Sequence, residues 1–182
     1  MGNLNGVKVA MLATNGFEES ELFEPKKALE ENGADVLIVA PEGGIFKAWR
    51  HGDWSKEIKV DVVIDDAKVN DFDVLVIPGG VINPDKLRRE QKVVDFVTQF
   101  FKTNKPVASI CHGPQLLIEA EVVKGRKMTS FFSIKKDLQN AGANWVDMEV
   151  VNDNGLITSR NPDDIPAFNE AMIKHFSAVK SS

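Results

Sequence analysis

The sequence has no tyrosine and a single cysteine, Cys111, among 182 residues. One cysteine excludes an internal disulfide and a Cys-rich zinc site, and it fits a reducing compartment. Three histidines, widely spaced, give no local metal-ligand pattern, so no metal is expected. There is no Walker A or G-x-G-x-x-G segment, and no organic cofactor is expected. Lysine and arginine number 22 against 27 acids, a net charge of −5. With no basic block, nucleic acid is excluded as the main partner. The apolar run Val7–Ala13 is broken by Lys8 and is far shorter than the ~20 residues of a membrane helix. The N-terminal M-G-N-L-N-G lacks the Ser/Thr of a myristoylation signal. A soluble, cytoplasmic protein is expected.

The hydrophobic fraction of 43% and charged fraction of 27% are those of a chain that can build a core. No repeat, low-complexity tract or Gly/Ser linker divides it, so one domain over 1–182 is expected. Short apolar, β-branched runs at Val7–Leu12, Asp35–Ala40, Val74–Ile77 and Val107–Ile110 read as parallel strands buried on both faces. Helical patterns fall between them. They cover Glu19–Asn32, with a kink or restart expected at Pro25, then Gln91–Thr103, Pro114–Ala120, Ser133–Asn140 and Pro166–Ala178. Residues after Ala178 are expected to fray. Met148–Val151 and Leu156–Ser159, joined by N-D-N-G, read as a hairpin, and Ile45–Val60 as a second hairpin at a sheet edge. Alternating strands and helices predict an α/β domain with a mainly parallel sheet.

Cys111 follows the strand V-A-S-I and precedes a helix opened by Gly113 and Pro114, a context close to a nucleophile elbow. A helix N-terminus favours thiolate, so a lowered thiol pKa is expected; an inert buried cysteine is the alternative. The first strand ends in A-T-N-G-F-E-E. Glu18 is open to two readings there, a proton donor to the sulfur or a helix-start acid, and Glu19 reads as the latter. The third strand run ends in P-G-G. Gly79 and Gly80 could present N–H groups to an oxyanion, or simply make a tight turn. His112 adjoins the nucleophile, but neighbours on such a turn need not meet. His51, in W-R-H-G-D-W, reads as a solvated loop residue with pocket lining as the lesser reading. His175 reads as helix packing.

At N-G-F-E-E (15–19), V-I-P-G-G (76–80), K-P-V-A-S-I-C-H-G-P-Q (105–115), G-R-K-M-T-S (125–130) and A-G-A-N-W-V-D (141–147) the sequence resembles the PfpI/ThiJ family of the class I glutamine-amidotransferase-like superfamily. The resemblance spans nearly the whole chain. It implies a flavodoxin-like three-layer sandwich. It implies catalytic roles for Cys111 as nucleophile, His112, Glu18 hydrogen-bonded to the thiol, and Asp85 reaching a neighbouring subunit's histidine in a homo-oligomer. Asp85, in the expected loop V-I-N-P-D-K after P-G-G, stands where Glu is frequent, and Phe131 where Tyr is frequent. A glutaminase His-x-acid pair is missing, since His175 is followed by Phe176 and Ser177.

These readings converge on a stress-response enzyme acting on small reactive carbonyls or glycated adducts, of glyoxalase or deglycase type. Gly79, Gly80 and Gly113 are the expected oxyanion and substrate-binding positions. A cysteine peptidase or amidase, and a redox-sensing stress protein or chaperone, are the alternatives, because each needs the same activated thiol.

Overall fold

Every strand run expected to be buried on both faces enters one sheet. The computed structural model describes residues 2–179. In chain order the strands and α-helices are β1 (Lys8–Leu12), β2 (Phe17–Glu18), α1 (Glu19–Glu31), β3 (Asp35–Ala40), β4 (Ile45–Arg50), β5 (Asp53–Lys59), β6 (Val62–Val63), β7 (Val74–Ile77), α2 (Ile82–Leu87), α3 (Gln91–Lys102), β8 (Val107–Ile110), α4 (Pro114–Glu119), β9 (Lys127–Met128), α5 (Lys135–Asn140), β10 (Asn144–Trp145), β11 (Val151–Asp153), β12 (Leu156–Ser159) and α6 (Ile165–Val179). The main sheet has seven strands in the order β11-β12-β8-β7-β1-β3-β6, parallel except for β11 against β12.

Alternate residues of each strand feed opposite faces, which makes two cores. Val9 and Met11 of β1 pack toward Leu22 and Leu29 of α1 and Phe168, Met172 and Phe176 of α6. Ala10 and Leu12 pack toward Val93, Val97 and Phe100 of α3 and Leu116 and Leu117 of α4. This is the flavodoxin-like three-layer α/β sandwich. The chain leaves β1 to form β3 on one side and later places β7 on the other. Beyond the carboxyl ends of β1 and β7, successive connections therefore diverge and leave a crevice, where open α/β sheets place their ligands.

Several local expectations are corrected. Pro25 does not interrupt α1; it is buried in a helix that runs through it. The hairpin over Ile45–Val60 exists as β4 and β5, but it joins β2 in a separate three-stranded sheet instead of edging the main one. The second hairpin begins at Val151, three residues later than expected, and turns at Asn154 and Gly155. The segment after P-G-G, expected as a loop, is the short helix α2. Helix α6 continues to Val179, and the expected frayed end otherwise lies outside the described residues. Among the described residues no helix is long and apolar enough to cross a membrane.

Candidate active site

Cys111 directly follows β8 in a left-handed backbone conformation, φ 63°. A residue with a Cβ pays about 1–2 kcal/mol there, so the surrounding structure must hold it. Its N–H donates to the Ser159 carbonyl (3.0 Å), and its own carbonyl accepts from Phe131 N–H (2.9 Å). The thiol is thereby fixed above the sheet, buried at 8% exposure.

The crowding around it requires glycines. A Cβ at Gly79 would stand 2.6 Å from the Ile110 carbonyl and 2.8 Å from Cys111 Cβ. Gly80 has φ +88°, and a Cβ there would meet Glu18 N at 2.8 Å. The backbone N–H groups of Gly80 and His112 face the sulfur. Those of Gly79 and Gly80 face the Glu21 carboxyl. Gly113 is different: its N–H donates to the Ile110 carbonyl at 3.0 Å. It is thus committed to the turn and is not an oxyanion donor as expected; its lack of a side chain clears the Ile77 carbonyl, 2.8 Å from where a Cβ would lie. Asn83, fully buried, ties the P-G-G loop to the end of β1 by accepting from Thr14 N–H (2.8 Å) and donating to the Pro78 carbonyl (3.1 Å).

The acid against the sulfur is Glu21, where Glu18 was expected. Glu18 is still extended, φ −66° and ψ 123°, at the N-cap of α1, and its carboxyl lies at the cavity mouth. Glu21 is one helical turn further on and points inward, at 0% exposure. Its carboxyl touches the Cys111 thiol and the Gly79–Gly80 backbone, though neither oxygen attains full hydrogen-bond geometry. The sequence carries a signal for this residue. Glu21 shares the buried face of α1 with Leu22, Pro25 and Leu29, and an acid on an apolar stripe is out of place unless it has a partner.

Burial, reinforced by the charge of Glu18, pushes the Glu21 carboxyl up to about 8. Burial also pushes the Cys111 thiol up, and an ionised Glu21 adds to this, while the N–H groups of Gly80 and His112 oppose it. The expected lowering by the helix N-terminus is thus overturned: α4 has only six residues, and desolvation dominates.

His112 does meet the Cys111 thiol. Its Nδ1 is 3.3 Å from Cys111 Sγ, and its Nε2 is 3.1 Å from Ser133 Oγ. Burial lowers its pKa, so the neutral imidazole is favoured. With Nε2–H donating to Ser133, Nδ1 carries the lone pair that faces the thiol. Ser133 was not singled out in the sequence, because a serine at a helix start is ordinary. Phe131 stacks near the His112 ring, centroids 4.8 Å apart, so no hydroxyl stands there. Asp85 is exposed on α2, and within this chain Ser133, not Asp85, holds the far nitrogen of His112.

Glu18, Glu21, Gly80, Cys111 and His112 line one cavity of about 340 Å³. His51 and Trp49 of the β4–β5 hairpin close one side, and Val81, strongly exposed, lies at the rim. His175, as expected, is outside it, its Nδ1 3.3 Å from Asn152 Nδ2.

Comparison with known proteins supplies an independent view. Residues 7–175 match the model of the DJ-1/PfpI family. General stress protein 18 of Bacillus subtilis is 48% identical over 165 residues, covering 90% of this chain and 94% of that protein. Deglycase PfpI of Pyrococcus furiosus is 42% identical over 168 residues, covering 92% and 98%. Among solved structures, DJ-1beta of Drosophila melanogaster superposes with a TM-score of 0.86 at 27% identity, covering 96% of this chain and 94% of that one.

Proposed function

Starting from a chain that belongs to the DJ-1/PfpI family, we propose an enzyme whose Cys111 attacks small reactive carbonyls or their adducts, in glyoxalase-type or deglycase-type chemistry. The observation that carries this reading is the thiol–imidazole pair at 3.3 Å inside a cavity that also holds a buried carboxyl. The name of the Pyrococcus relative, a deglycase, supports it.

In the proposed reaction the thiol proton passes to His112 Nδ1 as sulfur forms a bond to the aldehyde carbon. The carbonyl π pair moves to oxygen, which is steadied by the N–H groups of Gly80 and His112 and takes a proton from the protonated Glu21. With methylglyoxal the product is a hemithioacetal. Its C1 proton moves to C2 through an enediol, so the aldehyde carbon is oxidised and the ketone carbon reduced. The resulting thioester is cleaved by water, returning the thiol and releasing lactate. With a glycated adduct, Cys111 sulfur bonds to the carbon that carried the carrier, the bond to the carrier breaks, and the carrier leaves with the proton released from the Cys111 thiol; the resulting hemithioacetal follows the same course to lactate. Only side chains and water take part in this scheme.

Asp85 enters through assembly. Exposed on α2, it would serve a neighbouring copy's His112 in a homodimer or a multiple of one.

The test compares wild type and Cys111→Ser, freed of thiols and metals, on methylglyoxal, a glycated thiol and an unfolded protein. Lactate or released thiol formed by wild type and abolished by Cys111→Ser is the expected result. No carbonyl turnover, or turnover indifferent to Cys111, overturns the reading, and cleavage of the unfolded protein alone would make it a peptidase.

A further inference from the structure

The hairpin β4–β5 turns in two residues. Arg50 pairs with Asp53, and between them His51 and Gly52 have φ 49° and 80°. Positive φ at both central positions is the type I′ loop, whose first position takes Asn, Asp or Gly. The same chain makes this loop a second time, between Asp153 and Leu156, and there Asn154 and Gly155 have φ 51° and 91°. The second loop uses the residue the geometry prefers. The first uses histidine, which visits this conformation more readily than most residues but is not among those the loop selects first.

The position of His51 supplies the reason. Five described non-glycine residues have positive φ: His51, Asn104, Cys111, Glu121 and Asn154. Two are asparagines, which with aspartate and histidine are the types enriched there. Of the other three, His51 and Cys111 line the same cavity. Pairing of β2 with β4, Glu18 opposite Trp49, carries the hairpin tip to the mouth of that cavity. Glu18 and His51 line the same cavity; burial raises the Glu18 pKa and His51 opposes the rise.

We propose that His51 is a substrate-contacting residue. It hydrogen-bonds, from the mouth, a second oxygen function of the carbonyl compound, on the side away from the carbon that Cys111 attacks. Glu18 lines the same cavity. The ligand class is a carbonyl compound with an adjacent keto, hydroxyl or carboxylate oxygen. The inference rests on Cys111 being the reacting group in this cavity.

The test uses His51→Asn, which suits the turn and keeps a donor, and His51→Gly, which suits the turn and has none. Neither is expected to lower the unfolding temperature. Alkylation of Cys111 by neutral iodoacetamide should stay within about twofold, because that reagent needs no second contact. The ratio of iodoacetate to iodoacetamide rates should fall about tenfold in His51→Gly, with His51→Asn between, as expected for loss of a hydrogen bond to a carboxylate. KM for methylglyoxal should rise in the same order with kcat little changed. Equal ratios in all three proteins would overturn the inference. If wild type turns over no carbonyl yet the ratios differ, the proposed reaction fails and His51 keeps its place; turnover with equal ratios and equal KM sinks the His51 role alone.

Discussion

Glu21 and Cys111 meet in one buried corner, an acid from the first turn of α1 against a thiol just past the end of β8, 90 positions apart in the chain. Burial opposes ionisation of both, and a charge on either opposes a charge on the other. They therefore titrate as a pair, and no single value describes the thiol.

The pH dependence of alkylation should show this. Below about 8 the Glu21 carboxyl is protonated and can donate toward sulfur; above it, a carboxylate opposes the thiolate. The wild-type iodoacetamide rate should climb through two overlapping steps. Glu21→Gln, a donor that cannot ionise, should give one. Glu21→Leu should move that single step to a pH higher by about 1, since a donor is lost. Superimposable profiles for wild type and Glu21→Gln would show that the pair is not coupled.

Stability should follow the same group. The carboxyl is raised in the folded state, from 4.5 to about 8. Its protonated form is the one the fold accommodates, so the contribution is whole below 4.5 and is lost as pH rises through 8. The loss has a ceiling of about 5 kcal/mol, because a tenfold change in proton affinity is worth ~1.36 kcal/mol. Urea midpoints between pH 4.5 and 8.5 should fall for wild type and much less for Glu21→Gln. A flat wild-type curve would contradict the burial argument.

Ser133 Oγ stands 3.1 Å from His112 Nε2 and can accept its proton, the arrangement that leaves the Nδ1 lone pair toward the thiol. Ser133→Ala should lower kcat by about tenfold, the scale of one hydrogen bond to a general base. Nitrogen-15 NMR of His112 should show a mixture of tautomers in the variant and one in wild type. An unchanged tautomer with unchanged kcat would leave Ser133 as a packing residue. Ser133→Thr, retaining the hydroxyl, should recover most of the activity.

Asp85 offers a test of assembly. Asp85→Asn should reduce turnover and leave iodoacetamide alkylation of Cys111 nearly unchanged, since no contact within the chain links the two. Mixing inactive Asp85→Asn with inactive Cys111→Ser should restore part of the activity if each copy supplies what the other lacks. A monomer by light scattering with full activity would remove Asp85 from the site.

Much of the sheet was legible. Runs such as Val74–Ile77 are buried on both faces and are therefore apolar throughout, a pattern that needs no tertiary information to read. The elbow was legible because Cys111 stands between a strand and a proline-opened helix. The short helix α2 was not: N-P-D-K has turn composition, and its helicity depends on buried Asn83, Pro84 and Leu87 docking under the P-G-G loop.

Local periodicity is enough to set the strands and the long helices, and a single thiol is enough to set the candidate nucleophile. Which acid meets that thiol is a matter of three-dimensional packing. Glu18, Glu19 and Glu21 lie within four residues, and the choice depends on where extended β2 gives way to helical α1. One turn of helix then aims Glu21 at a strand end 90 residues away and leaves Glu18 at the mouth. The partner of His112 was likewise open, because Ser133 reaches the imidazole from the start of a helical segment, where a serine carries no signal of its own. Which groups ionise at this site depends on water being excluded from the corner, and exclusion of water belongs to the packed molecule, not to any stretch of chain.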